Sequence, residues 1–76
     1  MIKAVTEYIV RQFVNNVEAV RVNEVQEGPR VIIEVFVDAQ DLKRVIGKEG
    51  RIVRALRALI NCFEPTDKEL VLDIAS

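Results

Sequence analysis

The chain has no histidine, no tryptophan and a single cysteine, Cys62. One thiol cannot close an internal disulfide, and one cysteine without histidine supplies no metal-ligand set. With no second thiol and no imidazole beside it, Cys62 reads as a small apolar residue rather than a reactive one. No serine or cysteine has a plausible general base, so the sequence predicts no enzyme, no catalytic residue, no cofactor and no metal site. No apolar run approaches the roughly 20 residues that a membrane span requires. Glu7 stands where a signal peptide would be apolar, so no targeting segment is expected, and a reducing, cytoplasmic setting fits.

What the chain does have is apolar mass and sorted charge. Half of its 76 residues are apolar. That suffices for one domain over residues 1–76, although a domain of this size buries only about 60% of its unfolded surface. The net charge of -1 hides a strong asymmetry. Lys43, Arg44, Lys48, Arg51, Arg54 and Arg57 face Glu49 alone, giving +5 over residues 43–57 and -6 over the remainder. Such a molecule can hold a polyanion on one side while the rest repels it.

The hydrophobic periodicity orders the elements. Ile2, Val5, Ile9 and Phe13 recur at helical spacing, with Glu7 and Arg11 four apart on another face, which predicts a helix over residues 2–15 ending at Asn15-Asn16. Residues 19–25 alternate as a strand, Gln26-Glu27-Gly28-Pro29 marks a turn, and residues 30–37 are the best strand in the chain. There Val31, Ile33, Val35 and Val37 share one face, and Ile32, Glu34 and Phe36 the other. Asp38 reads as a helix cap, with Asp41 three residues on echoing a reciprocal capping pattern. Leu42, Val45 and Ile46 form the apolar side of a short helix that Gly47 stops. A longer helix over 51–62, a loop over 61–69 containing Pro65, Thr66 and Asp67, and a strand over 70–74 complete an αββααβ order.

The segment joining the two later helices, Val45-Ile46-Gly47-Lys48-Glu49-Gly50-Arg51-Ile52, carries the functional signal. Two glycines three apart let the main chain approach a phosphate closely, and the helix after them offers free N–H groups and the positive end of its dipole. At 100° per residue from Arg51, Ile52, Val53, Leu56, Leu59, Ile60 and Phe63 fall between about 80° and 200°. Arg51, Arg54 and Arg57 fall between about 240° and 360°, so one face anchors the helix while a basic edge continues from the Lys48 turn. A P-loop is excluded because no Gly-Lys-Ser/Thr follows an earlier glycine. A dinucleotide fingerprint would need a third glycine and a preceding strand.

These residues resemble the KH domain in its prokaryotic, type II form. The length and the Val-Ile-Gly-Lys-x-Gly-Arg-Ile core are similar to the small single-domain bacterial KH proteins of the KhpA (YlqC) family. The resemblance covers nearly the whole chain. It implies an α+β fold whose three-stranded sheet carries the helices on one face, and a single-stranded RNA ligand held without catalysis. Carried over by position, Gly47, Lys48, Glu49 and Gly50 would clamp the RNA backbone, with Ile46, Ile52 and Val53 as the groove floor. Arg51 and Arg54 would meet phosphates, Lys43 and Arg44 would flank the approach, and Lys68 would reach from the far loop. An RNA chaperone or post-transcriptional adaptor follows. The resemblance also implies self-association or pairing with a second KH-containing protein of the KhpB (Jag) type.

A different class of function remains open from the residues. Glu49 offsets the Lys48 charge and aromatics for base stacking are scarce, as expected of a protein-interaction subunit with little RNA affinity of its own. Ile32 and Phe36 on the outer sheet face, and Ile60 and Phe63 on the long helix, are the candidate oligomer or partner surfaces.

Overall fold

Alternating β-branched residues make β2 (Arg30–Phe36) the centre of the sheet. The computed structural model describes residues 2–63 and 68–76. β1 (Arg21–Glu27) pairs with β2 antiparallel, and β3 (Glu69–Ala75) pairs with it parallel on the other side. Two residues turn the hairpin: Gly28 at φ 61° and Pro29, the glycine-first arrangement of a type II′ turn. A parallel neighbour needs a crossover. Here α2 (Leu42–Ile46) and α3 (Arg51–Phe63) supply it. α1 (Ile2–Arg11) precedes the sheet, so the order is αββααβ, as the sequence predicts.

Val31, Ile33, Val35 and Val37 are all buried, together with Val22 and Leu72 from the neighbouring strands. Val10, Val45, Leu56 and Ile60 close over them from the helices, so one core serves sheet and helices alike. Ile60, expected as a surface candidate, is 1% exposed. Four residues after Leu56, it lies on the same face of α3 and is spent on the core. Phe63, one turn further, stays 47% exposed. Ile32 and Phe36 lie on the opposite, outer face of the sheet, as their alternation requires.

α1 is shorter than the periodicity implies and is rotated from it. It ends at Arg11, and its buried residues are Ile2, Thr6 and Val10 rather than the stripe through Val5, Ile9 and Phe13. A contact far away in sequence fixes the chain just beyond the helix. The carboxylate of Asp41 accepts the backbone N–H of Asn15 at 3.1 Å and that of Asn16 at 3.0 Å. Asp41 is 2% exposed, so it is no reciprocal cap. The two amides give this buried carboxylate the partners its charge requires, and so tie the end of α1 to the start of α2.

Asp38 does cap. Its carboxylate accepts the N–H of Gln40 at 2.9 Å and the Asn16 side chain at 3.1 Å. These bonds, the Gln40 amide first, hold its carboxyl below the usual range. A 3₁₀ turn over Val17–Ala19 delays β1 by two residues relative to the expected strand. Of the expected loop over 61–69, residues 61–63 belong to α3, whereas Pro65, Thr66 and Asp67 lie outside the described residues.

Candidate nucleic-acid interface

α2 stops because Gly47 takes φ 79° and ψ 169°, a conformation open to glycine and closed to other residues. Its N–H donates to the Lys43 carbonyl at 2.9 Å and closes the helix. The chain then makes one 3₁₀ turn over Lys48–Gly50, with Glu49 left-handed at φ 56° and Gly50 at φ 73°. The N–H of Gly50 donates to the Gly47 carbonyl at 3.1 Å, and that of Arg51 to the Lys48 carbonyl. The glycine amides are therefore consumed in shaping the turn. Among the described residues no partner takes the N–H of Lys48 or Glu49. The two free donors sit at the middle of the turn, between the glycines.

The side chains follow from this backbone. Lys48, Glu49 and Arg51 are exposed, and Gly47 and Gly50 are half-buried, so the turn lies open at the surface. Arg54 leans back along α3 until its Nη1 stands 3.7 Å from where a Gly50 Cβ would be. That places a guanidinium beside the turn. The ion-pair partner of Glu49 is Arg51. Its Oε1 lies 3.6 Å from Arg51 Nη2. Residues two apart do not face one another on a helix, and it is the left-handed backbone at Glu49 that brings this pair together. Both partners are about 70% exposed, so the pair adds little stability.

Other residues separate from the cluster. Arg44 is turned toward the end of α1, its Nη1 donating to Asn15 Oδ1 at 3.2 Å. Lys43 is exposed on α2. Val53 packs on the core with its Cγ1 3.7 Å from the Gly50 Cβ position, while Ile46 is half-buried at the end of α2. Ile52 crosses over Gly47 and lines a groove on the α1 side of α3, rather than one bounded by α2. Lys68 does not reach the turn: its Nζ lies 3.4 Å from Gln26 Oε1, beside the hairpin. The 13 residues of α3 separate that end from the turn by about 20 Å.

The α1 side of α3 holds a feature that the periodicity did not single out. Ile9 and Phe13 face Ile52, Ala55, Leu56 and Leu59 across an apolar groove of about 290 Å³. Leu59 is 43% and Phe13 39% exposed there.

The comparisons agree with this geometry. A family model described as "KhpA/KhpB, KH domain" matches residues 3–74. A protein of Aquifex aeolicus named RNA-binding protein KhpA is 39% identical over 74 residues, covering 96% of this chain and 94% of its own. Proteins of the same name from Clostridium perfringens and Thermotoga maritima are 36% and 32% identical, each covering 95% of this chain and 97% and 96% of their own. No solved structure gave a significant match. Family model, full-length relatives and the αββααβ order with its glycine turn converge, and the chain belongs to the KhpA/KhpB family of KH domains.

Proposed function

We propose that the chain binds single-stranded RNA by its backbone and serves as a cytoplasmic RNA chaperone or post-transcriptional adaptor. The observation that carries this reading is the exposed turn, with two unpaired N–H groups at Lys48 and Glu49. Two such donors and the cations of Lys48, Arg51 and Arg54 suit a sugar-phosphate strand crossing the turn. The outward edge of β3, which pairs with no described strand, would meet the bases, while Val53 and Ile46 would lie beneath them. Lys43 would add long-range attraction. The names of the relatives support the same ligand.

Titration of a labelled single-stranded RNA at several salt concentrations tests it. Two to three phosphate contacts predict a log–log slope of about -1.4 to -2.1, at roughly -0.7 per phosphate. Absence of saturable binding at low salt would favour the second reading, an interaction subunit with weak RNA affinity.

That second reading has its own observation, the apolar groove between α1 and α3. We infer that a second copy of the chain, or a KhpB-type KH protein, seats there against Leu59 and Phe63. The Glu7–Arg11 pair at 3.2 Å, also on α1, is internally neutralised, so it does not oppose a like surface. Leu59→Asp should convert a sedimenting dimer to monomer with its fold intact, because Leu59 is already 43% exposed. Phe36→Asp, on the other face of the molecule, should leave the dimer unchanged. A parent chain that is monomeric at every concentration, or a dimer indifferent to Leu59→Asp, would count against the groove.

A further inference from the structure

Among the described residues no helix covers the outer face of the sheet, and its side chains fall into ordered rows. Pairing register sets Val25, Ile32 and Val71 abreast, then Asn23, Glu34 and Asp73, then Arg21, Phe36 and Ala75. On the other side of the apolar row stand Glu27, Arg30 and Glu69. Rows of one face repeat about every 7 Å along a strand. Apolar and acidic bands therefore alternate down the sheet.

The charges of this face are unevenly neutralised. Arg30 reaches both Glu27 and Glu69 at 3.8 Å. Arg21 bends back to its own main chain, donating to the carbonyls of Glu18 at 2.7 Å and Val20 at 2.9 Å. Glu34 and Asp73 are direct neighbours on adjacent strands, and among the described residues no cation pairs with either. Like charges side by side on a sheet destabilise it. Beside them a depression of about 160 Å³ is lined by Glu34, Val35, Phe36, Asp73 and Ala75, so an aromatic ring borders the two carboxylates. An ammonium or guanidinium seated there would meet both, with the ring of Phe36 against its stem.

We propose that this face docks a basic amphipathic segment of a partner protein. The segment would lay aliphatic side chains on Val25, Ile32 and Val71 and a lysine or arginine on the Glu34–Asp73 pair. Charge selects the occupant. The face carries four carboxylates against two guanidinium groups already engaged, so it repels RNA and anionic lipid. A two-fold copy of the same face would set the carboxylate pair close to its own image, which disfavours self-pairing. The surface lies across the sheet from the helices that carry the glycine turn, so protein and RNA would bind together. It stands independently of the RNA reading.

A synthetic peptide alternating arginine and valine serves as the probe, followed by amide chemical shifts of the labelled full chain. Shifts should gather on Val25, Ile32, Glu34, Phe36, Val71 and Asp73 and persist in Lys48→Asp. The double change Glu34→Gln with Asp73→Asn should weaken the peptide about tenfold or more. It should also raise the Tm of the free protein by about 2–5 °C, since it removes a like-charge pair. Shifts confined to the α1–α3 groove or the glycine turn would overturn the proposal, as would peptide binding unaffected by the double change. So would sheet-face shifts produced by RNA or by protein concentration alone.

Discussion

Lys48→Asp should weaken single-stranded RNA by about 10- to 100-fold at low salt, the range expected when a charge-assisted hydrogen bond is lost from an exposed site. The log–log salt slope should shrink by about 0.7, one phosphate fewer. Lys48 stands at the middle of the exposed turn beside the two free amides, so an aspartate there removes a cation and repels the strand those amides would hold. The fold has little stake in this residue. Lys48 makes no ion pair among the described residues, and exposed substitutions of this kind stay within about 0.5 kcal/mol. The Tm should accordingly move by no more than about 4 °C. Binding isotherms and a thermal melt on one preparation separate the outcomes. A cooperative melt near that of the parent with RNA affinity unchanged would mean that phosphate does not pass the turn. Collapse of the melt would instead make the turn a purely structural joint.

The order of elements was legible because each carries a strong local pattern. β2 alternates β-branched residues without interruption, and two glycines bracket the turn between α2 and α3. Long-range polar contacts were not legible. Asp41 looks like part of a cap by its spacing from Asp38, yet it binds amides 25 and 26 residues earlier in the chain. Nothing in a local window encodes that partnership, which ties the end of α1 to the start of α2. Glu49 shows the same limit on a shorter scale. Its charge was plain in the sequence, but the left-handed backbone that aims it at Arg51 follows from how the turn closes. Ile60 and Phe63 were indistinguishable by periodicity, since both lie within the apolar arc of α3. Only the folded core separates them: Ile60 packs into it at 1% exposure and Phe63 stays outside at 47%.

The two glycines of the turn should behave unequally when given a side chain. Gly47→Ala should cost about 3–5 kcal/mol and lower the Tm by at least about 12 °C, combining forbidden backbone geometry with overpacking. At φ 79° and ψ 169° the backbone lies where only glycine is comfortable. A Cβ there would also stand 2.7 Å from Ile52 Cγ1 and 2.9 Å from the Ile52 backbone nitrogen, and a helical nitrogen cannot step aside. Gly50→Ala meets only half of this. It sits at φ 73°, but a Cβ would find its nearest neighbours at 3.7 Å, ordinary contacts with Arg54 and Val53. The left-handed penalty alone is about 1–2 kcal/mol. Asparagine discriminates further, because it tolerates the left-handed region and not the conformation of Gly47. Gly50→Asn should therefore melt close to the parent, while Gly47→Asn falls with Gly47→Ala. Equal losses at both positions would show that Ile52 does not fix the turn by crossing it. The unequal pattern would assign the first glycine to the close packing of α2 against α3, leaving Lys48 and Glu49 between the glycines to meet the ligand.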